Sequence, residues 1–314
     1  MTGGAQPRIL VIRGGALGDF LLTLPAIGLL RESFPQARIE ILGYRNWIAL
    51  ADGRYYADAT RCIEYGPLAA FFARGSNLPE ELCEYFSGFA HVFSYLFDPD
   101  GIFEANLRRA GVHNLASIDP RPSEGLHAAV HLARPMERYA LFLEEPAARI
   151  HPSAADRAAV AAVVAGSERP FAAIHPGSGG TRKNWPLDRW IEVIRALPGW
   201  NWLATGGEAD GDLPERLATA FSDGRVRVVR DLPLPVLGAV LERAAFYLGN
   251  DSGISHLAAA AGIPCLLAFG PTDPAIWAPR NRGVRIVSAP DGNLERLAVE
   301  TVAAAARDIV RDVA

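Results

Sequence analysis

Apolar and polar positions fall in alternating blocks along the chain. Residues 8–13, RILVIR, form a short β-branched apolar run, which predicts a buried strand. The loop GGALGD follows, and then FLLTLPAIGLLRESF, whose apolar positions recur at helical spacing; Thr23 reads as the cap of that helix and Pro25 as a first-turn residue. RIEILGY at 38–44 is a second strand. Strand, loop, helix and strand in that order make a βαβ unit, the start of a parallel sheet. RCIEY at 61–65 and HVFSYLF at 91–97 are weaker strand candidates.

The character changes over 119–170, where prolines stand at 120, 122, 135, 146, 152 and 170 between alanine-rich stretches. AADRAAVAAVV reads as a helix, and a domain boundary is expected near 150–168. A second alternating series then runs through FAAIH, a helix at about 187–196, WNWLATG, a helix at 213–221, VRVVR, a helix at 235–243, AFYLGN, the helix SHLAAAAG and PCLLAFG. Two β/α series predict an α/β protein of two Rossmann-like domains with parallel sheets facing a central cleft. The expected division is 1–160, 161–292 and a final helix over 293–314.

Composition narrows the function classes. The 314 residues are 50% hydrophobic and 21% charged, with a net charge of −4. Nothing in that balance marks a nucleic-acid partner. Cys62, Cys83 and Cys265 lack CxxC spacing, which points to a reducing compartment without disulfides or a zinc site. No apolar run reaches the ~18 residues of a membrane span, and MTGGAQPR has no hydrophobic signal core. The expected location is cytoplasmic, with peripheral contact at the membrane left open.

In open α/β domains ligands bind beyond the carboxyl ends of the strands, and three loops there carry chemistry. The first is 14-GGALGD-19, where glycines Gly15 and Gly18 allow close approach and a helix start favours an anion. A dinucleotide fingerprint ending at Gly18 needs glycine at 13, where Arg13 stands, and the next strand ends in Gly43 and Tyr44 rather than an acid, which argues against a nicotinamide cofactor. Asp19 reads either as a helix-capping acid or as a general base. The second is 175-HPGSGGTRKNWP-186, whose Ser178, Gly179, Arg182 and Lys183 suit a phosphate, although a solvated basic turn has the same composition. Trp185 and Trp190 read as packing. The third is 250-NDSG-253 with the helix that follows: Ser252 and Gly253 can present N–H groups to an anion, and His256 lies one turn in. A capping acid at Asp251 and a buried histidine at 256 are the plain alternatives. Asp98-Pro99-Asp100 resembles a metal-binding DxD, but before Gly101 it reads as a turn.

IRGGALGDFLLTLPAIGLLRESFPQARI, HPGSGGTRKNWPLDRW and GNDSGISHLAAAAGIPCLLAFGPTDP together resemble three blocks of the heptosyltransferases, glycosyltransferase family 9. The resemblance implies a GT-B fold and an inverting, metal-independent transfer of heptose from ADP-heptose to a lipopolysaccharide inner-core acceptor, with no cofactor. It implies an acceptor domain first and a donor domain second, with the last helix crossing back to the first. Carried over by position, it implies that Asp19 is the general base and that Lys183 contacts the donor diphosphate with Ser178 nearby. Glu208 then holds the nucleotide ribose, Asp251 contacts the sugar, and Ser252, Gly253 and His256 belong to the phosphate-binding turn. Several members read GDVLHTLP where this chain has GDFLLTLP, so Leu22 replaces a histidine. A sugar-nucleotide epimerase and a non-catalytic nucleotide-sugar or glycan-binding protein share these features and stay open.

Overall fold

The computed structural model describes residues 6–122, 125–164 and 170–313. The first five residues of the stretch read above for a leader, and residues 165–169 of the expected boundary, lie outside them. The chain divides into two compact units, Met1–Pro146 and Ala147–Ala314. The division falls earlier than the expected 160 because the helix Ala154–Val164 packs against a helix of the second unit.

The first unit holds five strands, β1 (Arg8–Arg13), β2 (Arg38–Gly43), β3 (Ala59–Cys62), β4 (His91–Tyr95) and β5 (Leu115–Ser117). Its helices are α1 (Leu17–Ser33), α2 (Arg45–Ile48), α3 (Glu80–Ser87), α4 (Ile102–Arg109) and α5 (Ala128–Glu137). The sheet is parallel in the order β3-β2-β1-β4-β5. From β1 the chain runs out through β2 to β3 and returns to β1's other side as β4. The order therefore reverses between β1 and β4, where Arg13 and Tyr95 are register partners. Ile12, Phe71, Phe86, Phe103 and Leu107 build the core on one face, while α1 and α5 pack together on their own account.

Helix α1 starts earlier than its proline suggests. Pro25 lies well inside it, and Thr23 is no cap: its Oγ1 donates to the carbonyl of Asp19 at 2.8 Å. An internal proline leaves one carbonyl without its helical donor, and here the unbroken burial of residues 20–28 holds the helix together across it. Strand β5 and helices α2 to α5 were not anticipated; β5 has three residues, too few to show alternation.

The second unit holds β6 (Phe171–His175), β7 (Asn201–Gly206), β8 (Val226–Arg230), β9 (Tyr247–Asn250), β10 (Cys265–Phe269) and β11 (Val284–Ser288). Its helices are α6 (Ala154–Val164), α7 (Leu187–Arg195), α8 (Leu213–Thr219), α9 (Leu234–Leu241), α10 (Gly253–Ala260), α11 (Pro274–Trp277) and α12 (Val299–Val313). The parallel order β11-β10-β9-β6-β7-β8 reverses between β6 and β9. Trp185, Trp190 and Trp202 are all fully buried in a core shared with Val302, Ala303, Ala306 and Ile309 of α12. Helix α12, expected to cross back to the first domain, belongs instead to the second unit, on α7, β10 and β11. That helical spacing of small and branched residues fits the tryptophan-rich face it covers.

Candidate active site

Each unit carries chemistry at its point of strand reversal. In the first, β1 ends in Arg13, a cation only 3% exposed. Its Nε donates to Thr23 Oγ1 at 2.9 Å and to the carbonyl of Asp19 at 3.3 Å, and its Nη1 donates to the carbonyl of Tyr95 at 3.1 Å. Nη2 stands 3.4 Å from Asp19 Oδ1. Burial holds the guanidinium below its ordinary pKa, opposed by the Asp19 charge, and an arginine so placed remains a cation. Asp19 Oδ2 accepts from Ala16 N–H at 2.9 Å. Asp19 is thus a capping acid with a third of its side chain open to solvent, and both its oxygens are oriented. Gly15 takes φ +85°, and a Cβ there would stand 2.7 Å from Asp19 Oδ2; only glycine meets both conditions. Trp47 Nε1 donates to the Gly15 carbonyl at 3.1 Å. Gly18 is the second residue of α1, and Leu22 is buried.

In the turn after β4, Asp98 accepts at its carbonyl from Gly101 N–H and at Oδ2 from Glu104 N–H at 2.9 Å. Asp98 therefore serves the turn and the start of α4.

In the second unit the loops after β6 and β9 lie side by side. Asn250, the last residue of β9 and wholly buried, pins the β6 loop at both ends. Its Nδ2 donates to the carbonyl of Pro176 at 2.8 Å, and its Oδ1 accepts from Trp185 N–H at 3.0 Å. Ser178 folds back, its Oγ donating to the carbonyl of Gly180 at 2.7 Å. A Cβ on Gly179 or Gly180 would meet nothing within 4 Å, and the Gly180 N–H donates back to Ser178 Oγ at 3.3 Å. Lys183 Nζ donates to Asp251 Oδ2 at 2.8 Å, and Thr272 Oγ1 donates to the same oxygen at 2.6 Å. Asp251 is buried while Lys183 is about a third exposed. An ammonium carries three hydrogens, and this bond uses one.

Ser252 caps α10, its Oγ accepting from Ser255 N–H at 3.2 Å. Ser255 Oγ donates to the Asn250 carbonyl at 2.5 Å and lies 3.1 Å from Ser252 Oγ and 3.0 Å from Tyr247 Oη. Because Ser255 spends its proton on the carbonyl, the Ser252 and Tyr247 hydroxyls donate to it. The Ser252 hydroxyl is thereby turned inward, and an anion at this turn would meet backbone N–H groups and the positive end of α10. Gly253 opens the helix, and His256 is buried one turn in. Glu208 is exposed in the turn after β7.

This arrangement sets an ammonium on the fixed carboxylate that directly precedes a helix start, beside a glycine turn: a set suited to a phosphorylated ligand. The family model for glycosyltransferase family 9 (heptosyltransferase) matches residues 126–304. The chain belongs to glycosyltransferase family 9. Lipopolysaccharide heptosyltransferase 1 of Escherichia coli O18:K1:H7 is 31% identical over 123 residues, 38% of this chain and 37% of that protein. The curated relatives are thus matched over little more than a third of their length. A family 9 glycosyl transferase structure from Veillonella parvula superposes with a TM-score of 0.81 at 16% identity, covering 98% of this chain and 97% of that one. Escherichia coli ADP-heptose lps heptosyltransferase II gives 0.76 at 16% identity over 98% and 100%. At that identity the likeness establishes the fold: two parallel-sheet α/β units of the GT-B class.

The structure places Ser178, Gly179 and Lys183 in the loop after β6 and Asp251, Ser252, Gly253 and His256 at the turn after β9 and the start of α10, all in one unit, and Gly15, Gly18 and Asp19 in the loop after β1 and the first turn of α1 in the other. Sequence reasoning missed Arg13, His175, Asn250 and Thr272. Three of these share a legible signal: each ends a largely apolar strand with a polar side chain, which a buried strand end tolerates only with partners.

Proposed function

We propose that this chain transfers a heptose from ADP-heptose to a lipopolysaccharide inner-core acceptor, with inversion at the anomeric carbon and without a metal. The observation that carries the reading is the Lys183–Asp251–Thr272 cluster beside the α10 start. The donor diphosphate gains charge as the glycosidic bond breaks. Lys183, the Gly179 amide and the α10 dipole stabilise that charge, the work a divalent cation does elsewhere. Asp251 holds the ammonium in place through Oδ2 and accepts from a sugar hydroxyl at its other oxygen. Glu208 takes the ribose hydroxyls as a hydrogen-bond acceptor. In the first unit Asp19 removes the acceptor hydroxyl's proton as that oxygen attacks the anomeric carbon and ADP leaves. Arg13 orients the carboxylate. The enzyme would meet its lipid-linked acceptor at the inner face of the cytoplasmic membrane; among the described residues no helix is long and apolar enough to cross it.

The test is incubation of the full chain with ADP-heptose and a lipopolysaccharide inner-core acceptor, with ADP release and product mass as readouts and the new anomeric configuration read by NMR. Equal rates after exhaustive chelation support the metal-free scheme. Turnover of donor with no acceptor present, or a retained anomeric configuration, overturns the reading.

A further inference from the structure

Behind the β6 loop lies a buried pair that the scheme above does not use. His175, the last residue of β6, is 3% exposed. Its Nδ1 stands 3.0 Å from the Thr205 carbonyl and 3.2 Å from Thr205 Oγ1, at the end of β7. A carbonyl only accepts, so Nδ1 carries a hydrogen. On the ring's other side Nε2 stands 3.3 Å from Asp210 Oδ1, and with Nδ1 protonated this contact is a hydrogen bond when the pair holds one further proton, on Nε2 or on the carboxyl. Asp210 is also buried, and its Oδ2 accepts from Gly207 N–H at 2.7 Å. The pair thus bridges the ends of β6 and β7.

Two loops depend on that bridge. Gly177 is pressed against it so closely that a Cβ would stand 1.9 Å from Asp210 Oδ1. Gly177 is the second residue of the loop that carries Lys183. On the other side Asp210 closes the turn 208–210 that begins with Glu208, and Arg230 at the end of β8 braces this turn by donating from Nη2 to the Gly207 carbonyl at 2.9 Å. One loop carries the ammonium, the other the exposed carboxylate.

We infer that His175 and Asp210 are positioning residues: a buried strut that fixes the spacing between the diphosphate-holding loop and the ribose-holding acid, and so sets recognition of a nucleoside diphosphate. The inference rests on the donor assignment proposed above. Asparagine at 210 can keep the strut, its amide nitrogen donating to a neutral His175 Nε2 while its oxygen accepts from Gly207 N–H. Alanine removes both links.

The experiment measures amide hydrogen exchange on the free full chain and calorimetric titration with ADP, for the wild type, Asp210→Ala, Asp210→Asn, Gly177→Ala and the Gly177→Ala/Asp210→Ala double variant. Asp210→Ala should speed exchange in 176–183 and 207–211, leave β6 and β9 protected, and raise the ADP dissociation constant about tenfold. Asp210→Asn should recover most of both losses. Gly177→Ala should weaken ADP binding alone, yet add little to Asp210→Ala, because its collision partner has gone. Exchange that stays unchanged in either loop, or rises evenly through the sheet, overturns the strut. So does Asp210→Asn behaving like Asp210→Ala. A wild type that binds no ADP refutes the donor assignment instead, and the exchange data then judge the strut by themselves.

Discussion

The two strand-reversal points have one topology and opposite chemistry. After β1 the chain crosses in three residues, 14–16, before α1 begins, and what it offers solvent is a carboxylate, Asp19, backed by a buried guanidinium. After β6 it crosses through eleven residues, 176–186, and offers an ammonium beside a glycine turn, with the buried carboxylate of Asp251 behind. The charges are arranged in mirror order: acid outside and cation inside in one unit, cation outside and acid inside in the other. In each case the buried partner fixes the outer one. A short loop suffices to hold a single proton acceptor, whereas a longer one can line a polyanion from several sides.

The comparison breaks most severely at Asp19. Asp19→Asn keeps the shape and can still orient toward Arg13, but its amide has little affinity for a proton. Transfer should fall about 10²- to 10⁴-fold, with ADP affinity unchanged, since every donor contact assigned here lies in the second unit. Activity within a fewfold of wild type would remove Asp19 as base and leave it a cap.

Asn250→Ala comes next, as a test of how the longer loop is held. It strands the Pro176 carbonyl and the Trp185 N–H in a buried setting. Two unmet buried groups cost about 2–4 kcal/mol together, visible as a lower urea midpoint with weakened ADP binding. Asn250→Asp should do nearly as badly, because it sets a carboxylate against the Pro176 carbonyl. Stability equal to wild type in both variants would mean the loop holds itself.

Lys183→Ala sharpens the contrast at lower cost. Losing one charge-assisted contact to a phosphate should weaken ADP binding about 10- to 100-fold. The fold should change little, since Thr272 still satisfies Asp251 Oδ2. An unaltered dissociation constant takes the lysine out of the donor site.

What the sequence showed and what it hid follow from the same contrast. Glycine-rich loops after apolar runs were legible, and so was the βα alternation of the second unit, because its helices carry separate apolar faces between strands. The partners that fix those loops were hidden. Arg13 was noticed only for not being glycine, Asn250 and His175 were read as loop edges, and Thr272 lies 21 residues from the carboxylate it serves. Such pairings depend on which strands become neighbours, and strand order is set by crossover packing rather than by local pattern. Pro25 misled for a related reason: local preference placed it at a helix start, and burial of α1 overrode it. Helix α12 was placed by analogy, while its actual seat is dictated by the tryptophans it covers.

The smallest effect expected is a dependence of stability on pH, and it too divides by unit. His175 in the second unit is held below its ordinary pKa by burial, with Asp210 opposing. His151 is lowered by burial and by Arg149 and Arg157. In the first unit His91, whose Nδ1 stands 3.1 Å from Tyr139 Oη, is lowered by burial and by Arg138. In the unfolded chain a histidine takes up a proton near its ordinary value of about 6.5. Where the folded value is lower, the unfolded state binds more protons as the pH falls through that region, so stability declines with it. The stabilisation is fully present above about pH 6.5 and is lost toward each folded-state value. Urea titrations between pH 8 and pH 5 should therefore show falling midpoints. His91→Gln, which keeps a polar partner for Tyr139 but cannot titrate there, should flatten only the part of that decline owed to the first unit. Midpoints that rise on acidification would mean that His175 gains more from Asp210 as a cation than it loses by burial, and would recast that pair as an ion pair.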